Sequence, residues 1–272
     1  DFSQAAQTLL WFFEKGGYTN IDGVASITLS AVQEYIKILG PLYLPDYDKT
    51  IDAEGLYAFA QSQTEQGFFP GASNKRDVLG ALTRALTRSM NALTLQKQQE
   101  LARTLLKHLA SKDIMMWAKN SDVQAFIQLH QWDGALHMPS CKTQECRADY
   151  LYIVEANVGI NKANCCIDRK AQYEVWLNAD TTATSSVHLE YQNNNPVTPQ
   201  PPKHYGGGYN NFLRLLRDPT WDLGEVLRDG KRIDMKTLSG EIDTVSHATS
   251  SGMLADVGGG ETHSFTYTYL HK

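Results

Sequence analysis

Apolar residues recur at helical spacing over the first half of the chain. A helix predicted at 3–15 begins at Ser3, and its apolar residues share one face. They are Ala6, Leu9, Leu10 and Phe13. Further helices are predicted at 29–39, at 52–59, within 78–109 and after Ser121, and strands at 21–28 and 113–119. Because strands alternate with helices, the pattern predicts a layered α/β domain.

Beyond residue 150 the apolar spacing shortens to two, which is typical of half-buried strands. Residues 172–177 and 185–191 predict a strand pair around a turn at 178–180, and 228–231 (RDGK) predicts a hairpin turn. Other strands are predicted at 151–154, 214–216, 225–227, 233–235, 253–257 and 264–269. The sequence therefore predicts an α+β or α/β chain, with an α/β layer over 1–149 and a β-sandwich-like domain over 150–272. A loop or linker is predicted near 193–208, which is rich in Asn, Pro and Gly.

The junction between the two predicted domains is a loop rich in side-chain amides. Lys162 stands there among Asn157, Asn161 and Asn164. Lysine and asparagine side chains can together bind an anion, because they supply several hydrogen-bond donors. Asparagines also form local turn bonds, so a loop braced by its own side chains is the favoured interpretation.

Composition excludes some classes of protein. The net charge of −5 provides no basic footprint for nucleic acid. The apolar share of 42% and charged share of 20% are typical of a globular protein. No apolar run approaches the roughly 18 residues that span a bilayer. The chain begins at Asp1 without a start methionine, which we interpret as a mature, processed or truncated product that lacks upstream residues.

The four cysteines lie close together in the sequence. They are Cys141, Cys146, Cys165 and Cys166. Zinc sites favour paired C-x2-C spacing, and an adjacent pair is a poor geometry for two tetrahedral ligands. The spacing favours disulfides over zinc or free thiols, and disulfides would place the protein outside the cytoplasm. The pairing cannot be read from the sequence.

Basic residues line the predicted helical region. Arg84 and Arg88 are four residues apart and share a face, whereas Arg76, next to Lys75, lies two turns earlier. These four side chains are candidate phosphate ligands, although a solvated helix face is the favoured interpretation. The sequence contains no G-x-S-x-G, P-loop, G-x-G-x-x-G or H-E-x-x-H motif, so catalysis is not favoured.

Other polar clusters favour ordinary surface roles, so neither a metal nor a cofactor is predicted. His130 and His137 form a near pair that we expect in an exposed loop. An acidic group is expected to be a solvated turn followed by a helix N-terminus. Its members are Asp46, Asp48, Asp52 and Glu54.

Several motifs resemble the bacterial domain-of-unknown-function 4012 family. They are 11–15 (WFFEK), 21–24 (IDGV), 39–45 (LGPLYLP), 132–134 (WDG), the most specific stretch 155–163 (EANVGINKA), and the β-rich tail over 252–269. The resemblance implies an α/β layer lacking its upstream part, followed by a β-domain, in a cell-envelope protein with a membrane anchor upstream of this chain. It implies no mechanism. Cys165 and Cys166 stand where the family carries aromatic residues.

A second resemblance is to the LytR–CpsA–Psr phosphotransferases, which attach glycopolymers to bacterial walls. Residues 21–41 have a similar strand–helix–Gly order, and 74–76 (NKR) precede a long helix. Such enzymes hold a pyrophosphate with several arginines and a carboxylate-bound metal. The resemblance implies Lys75, Arg76, Arg84 and Arg88 as phosphate ligands and Mg²⁺ as cofactor.

Our leading hypothesis is a non-catalytic extracytoplasmic cell-envelope module, at the cell surface or secreted, that binds other envelope proteins or a glycopolymer. A first alternative is an envelope glycopolymer phosphotransferase or pyrophosphatase. A second is a structural subunit of a surface assembly, in which an exposed edge strand at 264–269 joins a neighbour's sheet. A second copy of the chain, or a companion fragment of the same precursor, is a further expected partner.

Overall fold

The structure is a computed structural model with α+β architecture, as the sequence predicts. It describes residues 1–65, 74–91, 93–136, 139, 148–159, 161–180, 182–198, 206–242 and 247–271. The described residues form six helices and 13 strands in four sheets. The chain divides into two compact units, Asp1–Leu136 and His137–Lys272.

All the α-helices among the described residues lie in the first unit. Its elements in chain order are α1 (Phe2–Lys15), β1 (Gly23–Ile27), α2 (Leu29–Leu39), β2 (Leu42–Leu44), β3 (Lys49–Ile51), α3 (Gly55–Glu65), α4 (Asn74–Met90), α5 (Leu95–Ala110), β4 (Ile114–Ala118) and α6 (Ser121–Leu129). Strand β1 pairs with β4, and β2 pairs with β3, both antiparallel. The largest core of this unit lies between α2, the β2–β3 hairpin, α3 and α4.

Two helices begin at other capping residues than predicted. The Asp1 carboxylate, not the Ser3 side chain, accepts from the Gln4 N–H at 2.9 Å. Before α6, the Asn120 side chain accepts from two N–H groups, and Ser121 is already helical. The side-chain oxygen of an N-cap residue must reach the N–H two or three residues further on. Which of several neighbouring polar residues meets this condition depends on the three-dimensional structure.

The predicted helix at 52–59 begins later, because the Asp52 side chain accepts from the Gly55 N–H at 2.7 Å. The apolar stripes within 78–109 belong to two helices, α4 and α5. Thr94 caps the second of them, accepting from the Lys97 N–H.

The second unit is a β-sandwich. Its strands are β5 (Leu151–Asn157), β6 (Ile167–Leu177), β7 (Ala183–Asn193), β8 (Tyr209–Arg217), β9 (Trp221–Arg228), β10 (Lys231–Arg232), β11 (Ser239–Ile242), β12 (Thr249–Val257) and β13 (Thr262–His271). They form a five-stranded sheet, β10-β9-β13-β7-β6, and a four-stranded sheet, β11-β12-β8-β5. All recorded pairings are antiparallel, and one core takes side chains from both sheets.

Local turn chemistry decides two details of the sandwich. The predicted hairpin turn at 228–231 joins β9 to β10, with Asp229 and Gly230 at φ 51° and 74°, the left-handed angles that such turns need. The predicted strand at 233–235 is wrong. Residues Met235–Thr237 form a 3-10 turn, since the Asp234 side chain accepts from the Lys236 N–H and competes with strand pairing.

The strand predicted at 264–269 is confirmed, but its predicted position at the edge of a sheet is wrong. It belongs to β13, which lies between β7 and β9. Its alternate residues Phe265, Tyr267 and Tyr269 are buried at 1% exposure or less. Among the described strands, β6 and β10 end one sheet and β5 and β11 end the other.

Candidate functional site

One side of the sandwich is left open along β6. In the described part of the chain, β6 pairs with β7 alone, in register from Ile167 opposite Asn193 to Leu177 opposite Ala183. Residues directly opposite each other point to the same face of a sheet. The odd-numbered residues of β6 therefore share the inner face with the buried odd-numbered residues of β7.

Beyond the buried residue Ile167, the inner face of β6 is exposed. Tyr173 and Val175 are 40% and 44% exposed, whereas their partners on β7, Val187 and Ser185, are at most 1% exposed. Leu177, at the end of the strand, is 86% exposed. The opposing sheet ends at β5 and has one strand fewer. We call β6, together with the groove beside it, the open edge.

A groove of about 410 Å³ lies between β5 and β6. It is lined by Ile153, Glu155, Arg169, Lys170, Ala171, Leu189 and Tyr191. Glu155 Oε2 accepts from Arg169 Nε at 2.7 Å and from the Tyr209 hydroxyl at 3.0 Å. The groove thus combines apolar walls with charged groups that are paired within the chain.

Tyr191 in the groove wall, and Tyr209, which donates to Glu155, are un-ionised at neutral pH. Burial, together with the negative charge of Glu155, raises the pKa of Tyr191, and burial raises the pKa of Tyr209 to about 12. The Tyr191 side chain is 2% exposed, and its hydroxyl has no hydrogen-bond partner among the described atoms. A buried hydroxyl without a partner is costly, so this oxygen lowers the stability of the groove wall.

The Asn-rich loop brings three of its candidate residues into one network. Asn157 Nδ2 donates to Asn161 Oδ1 at 3.0 Å and to Asn164 Oδ1 at 2.7 Å. Asn161 Nδ2 donates to the Gly208 carbonyl at 2.6 Å. The amides therefore brace the loop, and Lys162 stands at the start of the 3-10 helix Ala163–Cys166. Anion binding by this loop stays a prediction.

Two further asparagines, which sequence reasoning assigned only to a loop, anchor this end of the sandwich. Asn193 Nδ2 donates to the Gly207 and Val257 carbonyls, both at 2.9 Å. Asn195 Nδ2 donates to the Ala163 carbonyl at 2.8 Å. Both side chains are at most 2% exposed. The run of three asparagines was the available signal, but burial could not be read from it.

The structure describes half of the predicted cysteine cluster. Cys141 and Cys146 lie outside the described residues. Cys165 is exposed and forms no disulfide, and Cys166 is half-buried. No disulfide joins two described residues, so disulfide bonding stays a prediction.

The predicted arginine site is divided. Arg76 and Arg84 line a cleft of about 570 Å³ beside α4, with Gly80 between them. A Cβ atom at Gly80 would lie 3.2 Å from Arg84 Nη1, so glycine keeps the cleft floor open. Arg88 lies in the last turn and is not part of the described lining. Lys75 is the second residue of the helix, next to Arg76, and its side chain is not described.

Carboxylates share this cleft with the arginines. Arg84 Nη2 lies 2.7 Å from Asp46 Oδ2, and Arg76 Nε lies 3.6 Å from Asp77 Oδ1. Burial, followed by the charges of Asp77 and Asp46, raises the pKa of Tyr47 in the cleft wall. The cleft is therefore a mixed-charge surface, not a purely cationic one.

A buried histidine fastens elements of the first unit. His108 Nδ1 and Nε2 lie 3.1 Å from Asp113 Oδ2 and from Glu34 Oε2. A hydrogen bond from Ser111, followed by one from His108, lowers the pKa of Asp113. A hydrogen bond from Lys107 lowers the pKa of Glu34. The arrangement joins α2, α5 and the start of β4.

A buried serine–histidine pair lies within the sandwich. Ser185 Oγ is 2.7 Å from His271 Nε2, and the Tyr173 hydroxyl, which also bonds Asp149, is 3.1 Å from Ser185 Oγ. Each hydroxyl has a single proton to donate. The three contacts are satisfied together if His271 donates to Ser185, Ser185 donates to Tyr173 and Tyr173 donates to Asp149. Ser185 is fully buried, so the pair is structural and not a nucleophile exposed to substrate.

The described residues contain no group of three or more His, Cys, Asp or Glu side chains placed to hold a metal ion. None of the helices in this part of the chain is long and apolar enough to cross a membrane. His130 stacks on Trp132, and His137 lies outside the described residues.

Comparison of the sequence with known protein families and with curated proteins finds no match.

Proposed function

We propose that this chain is a non-catalytic, extracytoplasmic cell-envelope module that binds a protein partner along the open edge. The observation that carries this is the exposure of Tyr173, Val175 and Leu177 on a face whose neighbouring strand is buried. A strand edge beside uncovered apolar side chains is the surface to which a further strand adds, with main-chain bonds for affinity and side-chain pockets for specificity.

One arginine of the groove and one arginine of the cleft are paired with carboxylates of the same chain. Arg169 is bound by Glu155, and Arg84 by Asp46, each at 2.7 Å. A catalytic side chain needs a pKa suited to its reaction, and it has to lie within hydrogen-bond reach of the substrate. Internal pairing supports a binding role over a catalytic one. The motif resemblance to envelope proteins of the domain-of-unknown-function 4012 family supports the location.

The location is tested with Cys165, whose side chain is exposed. A membrane-impermeant maleimide is applied to intact cells that produce the chain, with Cys165→Ser as the control that subtracts labelling of other cysteines. We expect Cys165 to be labelled before lysis. Labelling that appears only after lysis would contradict an extracytoplasmic location.

Binding is tested with a matched pair of substitutions on the sandwich. Val175→Lys places a charge on the open edge, and Leu254→Lys places one on β12, where Leu254 is similarly exposed at 53% against 44%. The measurement is the fraction of purified chain retained on isolated envelopes. We expect Val175→Lys to lose most of the retention and Leu254→Lys to keep it. Equal retention of the two variants would contradict the proposal.

A second candidate function, an envelope glycopolymer phosphotransferase or pyrophosphatase, is favoured by the mixed-charge cleft. Arg76 and Arg84 can contact a pyrophosphate while the carboxylates of Asp46 and Asp77 hold Mg²⁺. Titration calorimetry with inorganic pyrophosphate and Mg²⁺ tests this, with Arg76→Gln compared with Arg103→Gln, an exposed arginine of α5. Absence of binding to the unchanged chain would exclude this candidate.

A further inference from the structure

We infer that the partner of β6 is a second copy of this chain, joined through antiparallel pairing of the two β6 strands across a two-fold axis at Gln172. This inference rests on the proposed function, because it names the partner of the same open edge. It predicts that two five-stranded sheets become one continuous sheet.

The main chain of β6 supplies the first argument. The strand is 11 residues long and, among the described strands, pairs with β7 alone. On its outer side, alternate N–H and C=O groups therefore face away from the sheet, and such a row is a template for another strand.

The distribution of charge along β6 supplies the second argument. Charges near an edge normally prevent edge-to-edge pairing. In the first part of β6 each charge has a partner within the chain. Asp168 Oδ2 accepts from Asn194 Nδ2 at 2.9 Å. Arg169 lies 2.7 Å from Glu155, and Lys170 lies 2.7 Å from Glu190. The rest, 171–177 (AQYEVWL), contains one charged residue, Glu174. The edge is thus poorly protected where its apolar side chains are most exposed.

Self-complementarity of the sequence supplies the third argument. A two-fold axis at Gln172 places Lys170 of each copy opposite Glu174 of the other, so the joined strands contain two opposite-charge pairs. It also places Ala171 opposite Tyr173. An isologous interface requires a surface that complements itself, and cross-strand pairs of opposite charge stabilise a sheet.

The same register brings the uncovered faces together. Residues that oppose each other across this axis are both odd-numbered or both even-numbered, so the inner faces of the two copies lie on the same side of the joined sheet. Tyr173 of one copy then lies diagonally beside Tyr173 of the other, within reach of a large side chain. The axis therefore buries part of the apolar surface that the opposing sheet leaves exposed.

Sedimentation velocity over a concentration series tests the inference. Glu174→Lys sets Lys170 opposite a lysine, and Lys170→Glu sets Glu174 opposite a glutamate. We expect the unchanged chain to dimerise and each single variant to bind itself roughly tenfold or more weakly, because like charges oppose each other twice. Glu241→Lys, on the exposed edge strand β11, is the matched charge reversal and is expected to dimerise normally.

Mixing the two single variants separates pairing from damage to one chain. In the mixture every opposed pair is again Lys with Glu, so we expect dimers to return as a heterodimer, identified by native mass spectrometry. This readout is needed because Lys170→Glu also removes the contact with Glu190. Thermal unfolding checks that each variant is folded.

Three outcomes would overturn the inference: a monomeric unchanged chain at every concentration, single variants that dimerise normally, or a mixture that does not restore dimers. A monomeric chain whose envelope retention is still lost in Val175→Lys would overturn the dimer and leave the proposed function standing. If the chain forms the dimer but Val175→Lys does not change its retention on envelopes, the proposed function would be overturned and the dimer would remain.

Discussion

Strands β6 and β13 have similar alternating patterns but different surroundings. Tyr173 on β6 is 40% exposed, whereas Tyr267 on β13 is fully buried. Strand β13 has a neighbour on each side, while β6 has β7 alone among the described strands. The comparison teaches that alternation predicts an inner face, and that the neighbours in both layers decide whether this face becomes core or surface.

The largest expected effect is on stability, and it comes from a substitution in the buried strand β13. Phe265 of β13 is 0% exposed and packs edge-to-face on Tyr191. We expect Phe265→Ala to lower the free energy of unfolding by about 3–5 kcal/mol, because it leaves a cavity in the core. Urea unfolding measures this. Trp176→Ala on β6, where the side chain is 49% exposed, is the control and should lose about 1 kcal/mol or less. Equal losses would contradict the comparison.

The next effect concerns the polar anchor at the end of β7. Asn193→Ala removes the donor to the Gly207 and Val257 carbonyls and the acceptor for Asn195. We expect a loss of about 2–3 kcal/mol, because buried polar groups lose their partners. Urea unfolding is again the measurement. Asn178→Ala, in the exposed turn after β6, should change stability by less than about 0.5 kcal/mol, and a similar loss at both sites would argue against burial as the cause.

A pH-dependent effect is expected at the end of β13. Burial lowers the pKa of His271, although the charges of Asp149 and Asp218 partly oppose this. Below the ordinary histidine pKa of about 6.5, the unfolded chain therefore binds more protons than the folded chain, and stability falls as the pH falls. Unfolding of the unchanged chain and of His271→Gln is compared across this range. The stability difference between them should change on the acid side, and a difference independent of pH would contradict the prediction.

The smallest effect on stability is expected on the open edge. Val175→Thr keeps the branched shape of the side chain and should change the free energy of unfolding by less than about 0.5 kcal/mol, because the side chain is 44% exposed. The same change should still weaken dimerisation, measured by sedimentation, because it replaces a methyl group by a hydroxyl in the expected interface. A large loss of stability would mean that β6 already belongs to the core.

Elements with local causes could be predicted from the sequence. Helix α2 has the predicted bounds, since Thr28 caps its start and Gly40, at φ 94°, ends it. The hairpin turn at Asp229 and Gly230 is likewise decided by residues that accept positive φ. The capping residues Asp1 and Asn120 were not predicted, because several polar neighbours compete for the same position.

The candidate sites could be predicted only as sets of residues. The grouping of Asn157, Asn161 and Asn164 in one loop follows from their closeness in sequence, but their mutual hydrogen bonds do not. Arg76 shares a cleft with Arg84 because Gly80 leaves space between them and Asp46 arrives from another element. The contact between Arg84 and Asp46 joins residues far apart in the sequence, so no local pattern could predict it.

By itself, the sequence determined most of the helices, several of the strands, the change from helical to alternating apolar spacing and the hairpin turn at 228–231, because each depends on backbone preferences within a few residues. Only the tertiary structure decided that β13 is central and β6 is an edge, and that one inner face is core while the other meets solvent. The physical reason is that burial depends on neighbours far apart in the chain: β13 pairs with β7 and β9, whereas β6 pairs with β7 alone among the described strands.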